Sequence, residues 1–189
     1  DADAERRPQV ALAALVHPNL VSLYELVADE DRWFFTMELV DGVDFLAHVR
    51  GPRDVAAMVA AGEPRFQDLA DEPRLRLSLA QLAEGVRALH QNGVLHRDLK
   101  PPNVLVRRDG RVAVLDFGLA IALDDTLDTS EHSSGTLGYM SPEQLGGDPL
   151  GPPSDWYAVG VMLYEALTGR APFVGAPQQM FFAKAAGSV

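Results

Sequence analysis

The stretch GVLHRDLKPPNVLV, residues 93–106, carries several side chains that could do chemistry. Two prolines follow its lysine, and each removes a backbone donor and clashes with the preceding turn. We therefore predict a loop held in one shape, with no helix in it. Such a loop could aim a base, two cations and an amide in fixed directions. The side chains concerned are His96, Arg97, Asp98, Lys100 and Asn103.

These residue types suit phosphate chemistry. Phosphoryl transfer needs positioned phosphates, metal ions that neutralise their charge, and a group that orients the attacking hydroxyl. Magnesium prefers oxygen ligands, typically a carboxylate together with substrate phosphates. Asp98, Asn103 and the later Asp116 offer two carboxylates and an amide oxygen, and Lys100 offers a point charge. We expect a hairpin to bring Asp116 back beside the loop.

Composition sets the broad class. The 189 residues are 47% hydrophobic and 23% charged, as in a soluble globular domain. A net charge of −11 argues against a general nucleic-acid or anionic-membrane binder. The absence of cysteine excludes a disulfide framework and a cysteine-based zinc site. With no secretory signal at the start and no apolar run long enough for a membrane span, we expect a cytoplasmic protein.

Lysine is scarce in this chain. Of the sixteen basic residues, fourteen are arginine, and the two lysines are Lys100 and Lys184. Together with the many alanines, this bias indicates the base composition of a GC-rich genome rather than a physical requirement.

The first part of the chain predicts a small amount of β-structure. Residues 9–16 are typical of a helix end, stopped by the His-Pro-Asn that follows. Two apolar, aromatic-rich runs, 20–27 and 32–40, predict a β-hairpin. Residues 49–74 are rich in Gly, Pro, Ala and charge, which indicates a surface insertion with, at most, a short helix over 54–61.

The middle of the chain predicts the elements that hold the polar loop. One apolar stripe with helical spacing predicts a helix, which Asn92-Gly93 should end. After the loop, residues 103–106 and 111–117 predict two strands, and Asp109-Gly110 between them is a strong hairpin signal. The stripe consists of Leu75, Leu79, Leu82, Val86 and Leu89.

The last clear element is a helix over SDWYAVGVMLYEALTG, residues 154–169. Ser154 or Asp155 is its expected N-cap and Gly169 its expected stop. The helix is apolar on nearly every side, so we expect it to be buried. The order of elements, some β-structure with a helix and then mostly helix, predicts an α+β fold of two unequal parts.

At this point the motifs resemble those of protein kinases. HRDLKPPN resembles the kinase catalytic loop, and Asp116-Phe117-Gly118 resembles the metal-binding DFG turn. GTLGYMSPEQ (135–144) resembles the end of the activation segment, with Ser141-Pro142-Glu143 in place of Ala-Pro-Glu. SDWYAVGVMLYEALTGRAPF resembles the buried helix that follows, and FTMELVDG (35–42) resembles the hinge that holds adenine. The motifs stand in the family's order and cover most of the chain.

The resemblance implies a two-lobe, protein-kinase-like α+β fold of the bacterial serine/threonine type. Residues 1–40 would be a remnant of the β-rich small lobe, and residues 41–189 the mostly helical large lobe, truncated at its end. The implied reaction transfers the γ-phosphate of ATP, with Mg²⁺, to a Ser or Thr hydroxyl of a protein substrate.

Roles at the catalytic loop follow from the same resemblance. Asp98 would orient the substrate hydroxyl, and Lys100 would contact the γ-phosphate. Asn103 and Asp116 would bind Mg²⁺. Thr136 would bond to Asp98 and Lys100, and this combination indicates Ser/Thr rather than Tyr specificity.

Roles in the nucleotide site are implied in the same way. The backbones of Glu38 and Val40 would bind adenine, and Met37 would guard the pocket behind it. Asp44 could reach the ribose, and Leu105 would lie under the adenine ring.

The resemblance also implies regulation. Arg97 would pair with a phosphate on the activation segment, between Thr126 and Ser134, where Thr129 or Ser130 is the favoured site. His96 would pack under Phe117 rather than do chemistry. With Leu12 and Leu23, these two side chains would form the stacked regulatory spine.

The chain departs from the kinase pattern at both ends. It has no GxGxxG and no lysine before Lys100, and the position of the usual helix glutamate holds Pro8, with Glu5 a poor substitute. The arginine that pairs with Glu143 in kinases would lie beyond the last residue. We therefore expect a piece of a kinase with little activity by itself, and further domains in the full gene product.

Two other functions stay open. A pseudokinase that only binds partners would keep the fold, although such proteins often lose one of the two carboxylates present here. A small-molecule phosphotransferase has a similar loop, but GTLGYMSPEQ suits an extended peptide substrate.

Overall fold

The computed structural model describes residues 15–29, 32–51, 71–117 and 134–187. Strand β1 (Leu23–Asp29) pairs antiparallel with β2 (Arg32–Met37), which confirms the first predicted hairpin. Of the helix predicted over 9–16, residues 15 and 16 are not helical, and the rest lies outside the described residues.

A second sheet has three strands. Its order is β3 (Gly42–Asp44), β4 (Val104–Arg107), β5 (Val112–Val114), all antiparallel. Strands β4 and β5 are the hairpin predicted after the polar loop, and Gly110 turns it with a φ of 83° that suits glycine. Leu20 forms a parallel bridge with Val114, which ties the start of the described chain to this sheet.

Helix α1 (Phe45–Arg50) was not predicted. Asp44 caps it by accepting a hydrogen bond from the Ala47 N–H, and its Val49 is fully buried. The insertion predicted over 49–74 is therefore wrong at both ends, because Val49 belongs to the core and the next helix begins at Glu72. The short helix considered over 54–61 lies outside the described residues.

Helix α2 (Glu72–Gln91) confirms the predicted apolar stripe. Four of its five members are buried and Leu79 packs partly buried against the same core. Asp71 caps the N-terminus, and Asn92 followed by Gly93, with φ 72°, ends the helix as predicted. A single core cluster joins this helix to α1, to the three-stranded sheet and to helix α5 (Pro152–Thr168).

Helix α5 corrects two predictions. It begins at Pro152 with Gly151 as its N-cap, so neither Ser154 nor Asp155 is the cap. Two prolines fit the first helical positions, whose N–H groups have no partner within a helix. The helix is buried on most sides, but Trp156 and Leu167 are 39% and 44% exposed. Gly169, with φ 78°, ends it as predicted.

The remaining helices are α3 (Ser134–Leu137), α4 (Pro142–Gly146) and α6 (Pro177–Ala185). Leu137 and Met140 pack with Met180 of α6 in a second, smaller apolar cluster. The α+β class is confirmed. Within the described ranges, no helix combines the length and apolar character that crossing a membrane requires.

Two leucines of α2 provide a test of this packing. Leu82 is fully buried, whereas Leu77 is 67% exposed on the same helix. We expect Leu82→Ala to lower the free energy of unfolding by about 2–5 kcal/mol, because it removes core contacts and leaves a cavity. Leu77→Ala should change it by no more than about 0.5 kcal/mol. Urea unfolding of the 189-residue chain measures both, and equal losses would contradict the orientation of α2.

Candidate active site

One buried carboxylate holds the backbone of the polar loop in place. Asp155 of α5 is 2% exposed, and its two oxygens accept hydrogen bonds from the backbone N–H groups of His96 and Arg97, each at 2.9 Å. His90 of α2 donates to the same carboxylate at 2.7 Å. Asp155 therefore caps the loop rather than its own helix, which is why it is not the N-cap that local rules suggest.

His96 connects the loop to strand β5. Its Nε2 lies 2.8 Å from the Leu115 carbonyl, and its Nδ1 lies 3.3 Å from the backbone nitrogen of Asp98. Burial lowers the pKa of His96 below its ordinary value, so the ring is neutral at physiological pH. A neutral ring that donates through Nε2 accepts the Asp98 N–H through Nδ1, and both bonds are then satisfied.

Four predicted catalytic residues come together at one point. Lys100 Nζ lies 2.7 Å from Asp98 Oδ2 and 3.4 Å from the Thr136 hydroxyl. Asn103 donates through its amide nitrogen to the Asp98 carbonyl at 2.8 Å and to Asp98 Oδ2 at 3.0 Å. The loop and helix α3 thus meet at Lys100, beside the carboxylate of Asp98.

The prediction that the prolines exclude any helix from the loop is wrong. Pro101, Pro102 and Asn103 form one 3₁₀ turn, in which the Val104 N–H donates to the Pro101 carbonyl. The prolines occupy the first two positions of the turn, where a missing N–H costs no internal hydrogen bond. This turn brings the Asn103 side chain back to Asp98.

Asp116 lies one residue beyond the hydrogen bond between the Leu115 N–H and the Asn103 carbonyl, which is 2.9 Å long. Its φ of 56° is left-handed, a conformation that costs free energy outside glycine and often marks a functional site. The two hydrogen bonds from the Asn103 side chain to Asp98 both come from its amide nitrogen, so neither of them uses its oxygen. An amide oxygen beside a carboxylate fits Mg²⁺.

Carboxylates alone would not hold a metal at this place. In the part of the chain that the structure describes, no three His, Asp or Glu side chains are grouped as metal ligands. Mg²⁺ in phosphate sites generally combines few protein ligands with oxygens brought by the substrate.

The predicted nucleotide residues lie at the end of β2, in the segment after it, and in strands β3 and β4. Met37 and Val40 pack, partly buried, against the main core. Asp44 pairs in register with Leu105, whose side chain lies on the face opposite the buried Val104 and Val106.

Glu38 is fixed by two contacts. Its N–H donates to the Ser22 carbonyl, and its carboxylate pairs with Arg107 at 2.7 Å. Burial by itself raises the pKa of the Glu38 carboxyl, but the Ser22 N–H and the Arg107 guanidinium outweigh it and hold the pKa below its ordinary value. The carboxylate is therefore charged at neutral pH, and the segment after β2 is anchored to β4.

Comparison with known sequences decides the family. Residues 5–187 match the sequence profile of the protein kinase domain. The chain belongs to the protein kinase domain family. It is 36% identical to the serine/threonine-protein kinase PrkC of Bacillus subtilis over 174 residues. It is 33% identical to the serine/threonine-protein kinase PknB of Mycobacterium tuberculosis over 179 residues.

These alignments cover 90% of this chain but only 24% and 26% of the two relatives. The chain is also 34% identical to the probable serine/threonine-protein kinase PknB of Lactococcus lactis, and that alignment covers 25% of the relative's length. The chain therefore spans about a quarter of the curated relatives that it matches.

The kinase regulatory residues are only partly described. The Arg97 N–H donates to Asp155, and the Arg97 carbonyl accepts from Gln144 Nε2 at 2.6 Å. Its buried Nε has no hydrogen-bond partner among the described residues. Thr129, Ser130 and Leu12 lie outside those residues. Phe117 is buried and Leu23 partly buried against the main core, and the predicted stacking of His96 under Phe117 stays a prediction.

Three residues that hold this kinase site were missed from the sequence. An acidic residue inside an apolar helix indicates a buried partner, and Asp155 is such a residue. Its position also fits the N-cap rule, and that rule gives the wrong prediction. Nothing in the sequence indicates the role of Gln144. Lys184 stood out only as the second of two lysines.

Removal of the Asp155 charge tests the anchor of the catalytic loop. Asp155→Asn keeps the shape but leaves one oxygen, so one loop N–H loses its acceptor. We expect a loss of about 1–3 kcal/mol in unfolding free energy and faster hydrogen exchange at the amides of His96 and Arg97. Asp148→Asn, at an exposed position, is the control. Unchanged exchange at both loop amides would show that Asp155 is not the anchor.

Proposed function

We propose that the chain is the core of a serine/threonine protein kinase domain, which transfers the γ-phosphate of Mg-ATP to a hydroxyl of a protein substrate. The observation that carries the proposal is the meeting of Lys100 with both Asp98 and Thr136, at 2.7 and 3.4 Å. It joins the base, a cation for phosphate and the segment expected to receive the peptide. The printed names of the relatives support the Ser/Thr class.

The chain's own groups divide the work of such a transfer. The acceptor oxygen forms a bond to Pγ while the bond from Pγ to the bridging oxygen breaks and ADP leaves. Asp98 Oδ1 is free of the contacts made by Oδ2, so it can orient the hydroxyl and take its proton. Lys100, next to Oδ2, supplies positive charge for the transferred phosphate. Bound Mg²⁺ would neutralise charge on the phosphates, and Asn103 and Asp116 would hold it.

The adenine would lie beside the segment after β2. Its polar edge would meet the backbones of Glu38 and Val40, and its faces would meet apolar side chains, among them Leu105. Met37 would close the back of the pocket. Asp44 would reach the ribose through Oδ2, because its Oδ1 caps α1.

The coverage of the relatives supports a longer protein. We propose that residues 1–40 belong to a small lobe and residues 41–189 to a large lobe, and that further domains accompany them. The 189 residues hold no lysine before Lys100, so kinetic experiments should use the protein expressed from its whole gene.

The first test separates the two carboxylates in that protein. Asp98→Asn should lower turnover by about 10²-fold or more while Mg-ATP still binds, because Asp98 faces the hydroxyl rather than the nucleotide. Asp116→Asn replaces a carboxylate ligand by an amide, so Mg-dependent nucleotide binding should fall as well. Calorimetry with Mg-ATP and single-turnover rates measure the two effects.

Asp109→Asn is the matched control for this test. It lies in the β4–β5 turn, where Asn-Gly serves as well as Asp-Gly, and it should change neither quantity. A protein whose Asp98→Asn form lost nucleotide binding while its Asp116→Asn form kept both quantities would contradict these roles. Binding without any transfer by the unsubstituted protein would favour a pseudokinase.

The second test concerns the Arg97 guanidinium. A phosphate on residues 126–134 would give the buried Nε a charged partner. We expect autophosphorylation in this span, with Thr129 or Ser130 favoured, and loss of its activating effect in Arg97→Met. Mass spectrometry locates the phosphate, and activity before and after phosphatase treatment measures the effect. Phosphate found only outside residues 116–143 would contradict the proposal.

A further inference from the structure

Lys184 is a buried lysine whose partners are all backbone carbonyls and aromatic rings. It lies on α6 at 5% exposure, and its Nζ donates to the carbonyls of Leu137, Gly138 and Met140 at 2.7, 2.8 and 2.6 Å. Those three bonds use all the donors of an ammonium group. Among the described residues, no carboxylate pairs with it.

Burial of such a group has a clear cost. Desolvation lowers the pKa of Lys184 to about 8, so the ammonium form still dominates at neutral pH. Its burial costs free energy, because the charged group loses its hydration. The rings of Phe173 and Tyr157 lie 5.1 and 5.4 Å from Nζ and offset part of this cost. An apolar side chain of similar length would fill the same space without it. The lysine therefore serves something other than packing.

The three carbonyls belong to a short segment whose first residue contacts Lys100 of the catalytic loop. Residues 136–140, which we call the acceptor segment, start at Thr136, whose hydroxyl bonds to Lys100. Tyr139 in the same segment borders an open cavity of about 390 Å³, together with Asp44, Pro101 and Pro102. The segment thus runs from the Lys100 contact at Thr136 to the wall of this cavity at Tyr139.

Both lysines of the chain contact this one segment. Lys100 contacts the Thr136 hydroxyl at its start and Lys184 holds three of its five carbonyls, in a sequence where the other fourteen basic residues are arginine. A compact ammonium can sit among three converging carbonyls, whereas the planar guanidinium of arginine is larger and spreads its donors in one plane. The shape of the site, not only its charge, therefore requires lysine.

We propose that Lys184 is a positioning residue: its ammonium holds the backbone of the acceptor segment in the shape that receives the peptide beside Asp98. This inference rests on the proposed kinase function. It adds a link from α6 to the site of phosphate transfer, and Lys184 itself contacts neither the hydroxyl nor ATP.

The first experiment measures the segment without using activity. In the 189-residue chain, hydrogen exchange of the Tyr139 amide, which donates to the Thr136 carbonyl, reports opening of the acceptor segment. Lys184→Met should accelerate this exchange roughly tenfold or more, because three charge-assisted bonds are lost. Lys184→Arg should not restore slow exchange. Gln178→Met, exposed on the same helix, should leave it unchanged.

The second experiment measures function in the protein from the whole gene. With a peptide of the chain's own residues 122–136 as acceptor, Lys184→Met should raise KM for the peptide at least about tenfold. KM for ATP should stay within about twofold, since no nucleotide contact changes. A residue with only a structural role would change both values together, or neither.

Each outcome decides a different point. Unchanged Tyr139 exchange in Lys184→Met would overturn the tether, and slow exchange in Lys184→Arg would overturn the requirement for a compact ammonium. Faster exchange with an unchanged peptide KM would overturn the positioning role. If the unsubstituted protein transferred no phosphate, the proposed function would fail instead, while the exchange result would still decide the tether.

Discussion

The rest of the site depends on the carboxylate of Asp155. A charge buried in the most enclosed helix would be unfavourable without partners, but two loop N–H groups and the His90 ring satisfy its oxygens. The bonds to consecutive N–H groups leave the loop little freedom to rotate. Arg97, between Asp155 on one side and Gln144 on the other, is held at φ 67°, a left-handed conformation that an arginine would not adopt unaided. The loop is therefore placed by helix α5, which belongs to the main core.

The neutral ring of His96 connects this anchor to the groups that are expected to take part in the reaction. The His96 N–H donates to Asp155. The His96 ring donates to the Leu115 carbonyl and accepts from the Asp98 N–H. The ring can do so only while it is neutral, and burial keeps it neutral. Leu115 in turn bonds to Asn103, so the base and the two expected metal ligands share one scaffold. A charged histidine would lose an acceptor at Nδ1 and with it the link to Asp98.

Local patterns in the sequence predict much of this fold, because their causes are local. The stripe of α2 and the turns at Gly93, Gly110 and Gly169 follow from helical spacing and from left-handed glycines. Motifs predict the site residues, since spacing within HRDLKPPN sets which side chains can meet. The failures have tertiary causes. Helix α1 is too short for a periodic signal, and the cap rule cannot show that the Asp155 carboxylate has partners 58 and 59 residues away.

The two lysines show how composition and physics combine. A biased base composition accounts for the general preference for arginine, but it does not account for where the exceptions lie. Lys100 pairs with a carboxylate at a partly exposed site, whereas Lys184 is buried among carbonyls, yet both act on residues 136–140. Leu137 and Met140 of this segment pack with Met180 in a small apolar cluster, and Tyr139, partly buried, packs against the main core. The lysines add polar bonds to these apolar contacts, at the Thr136 hydroxyl and at the carbonyls of Leu137, Gly138 and Met140, and so fix the backbone as well as the side chains.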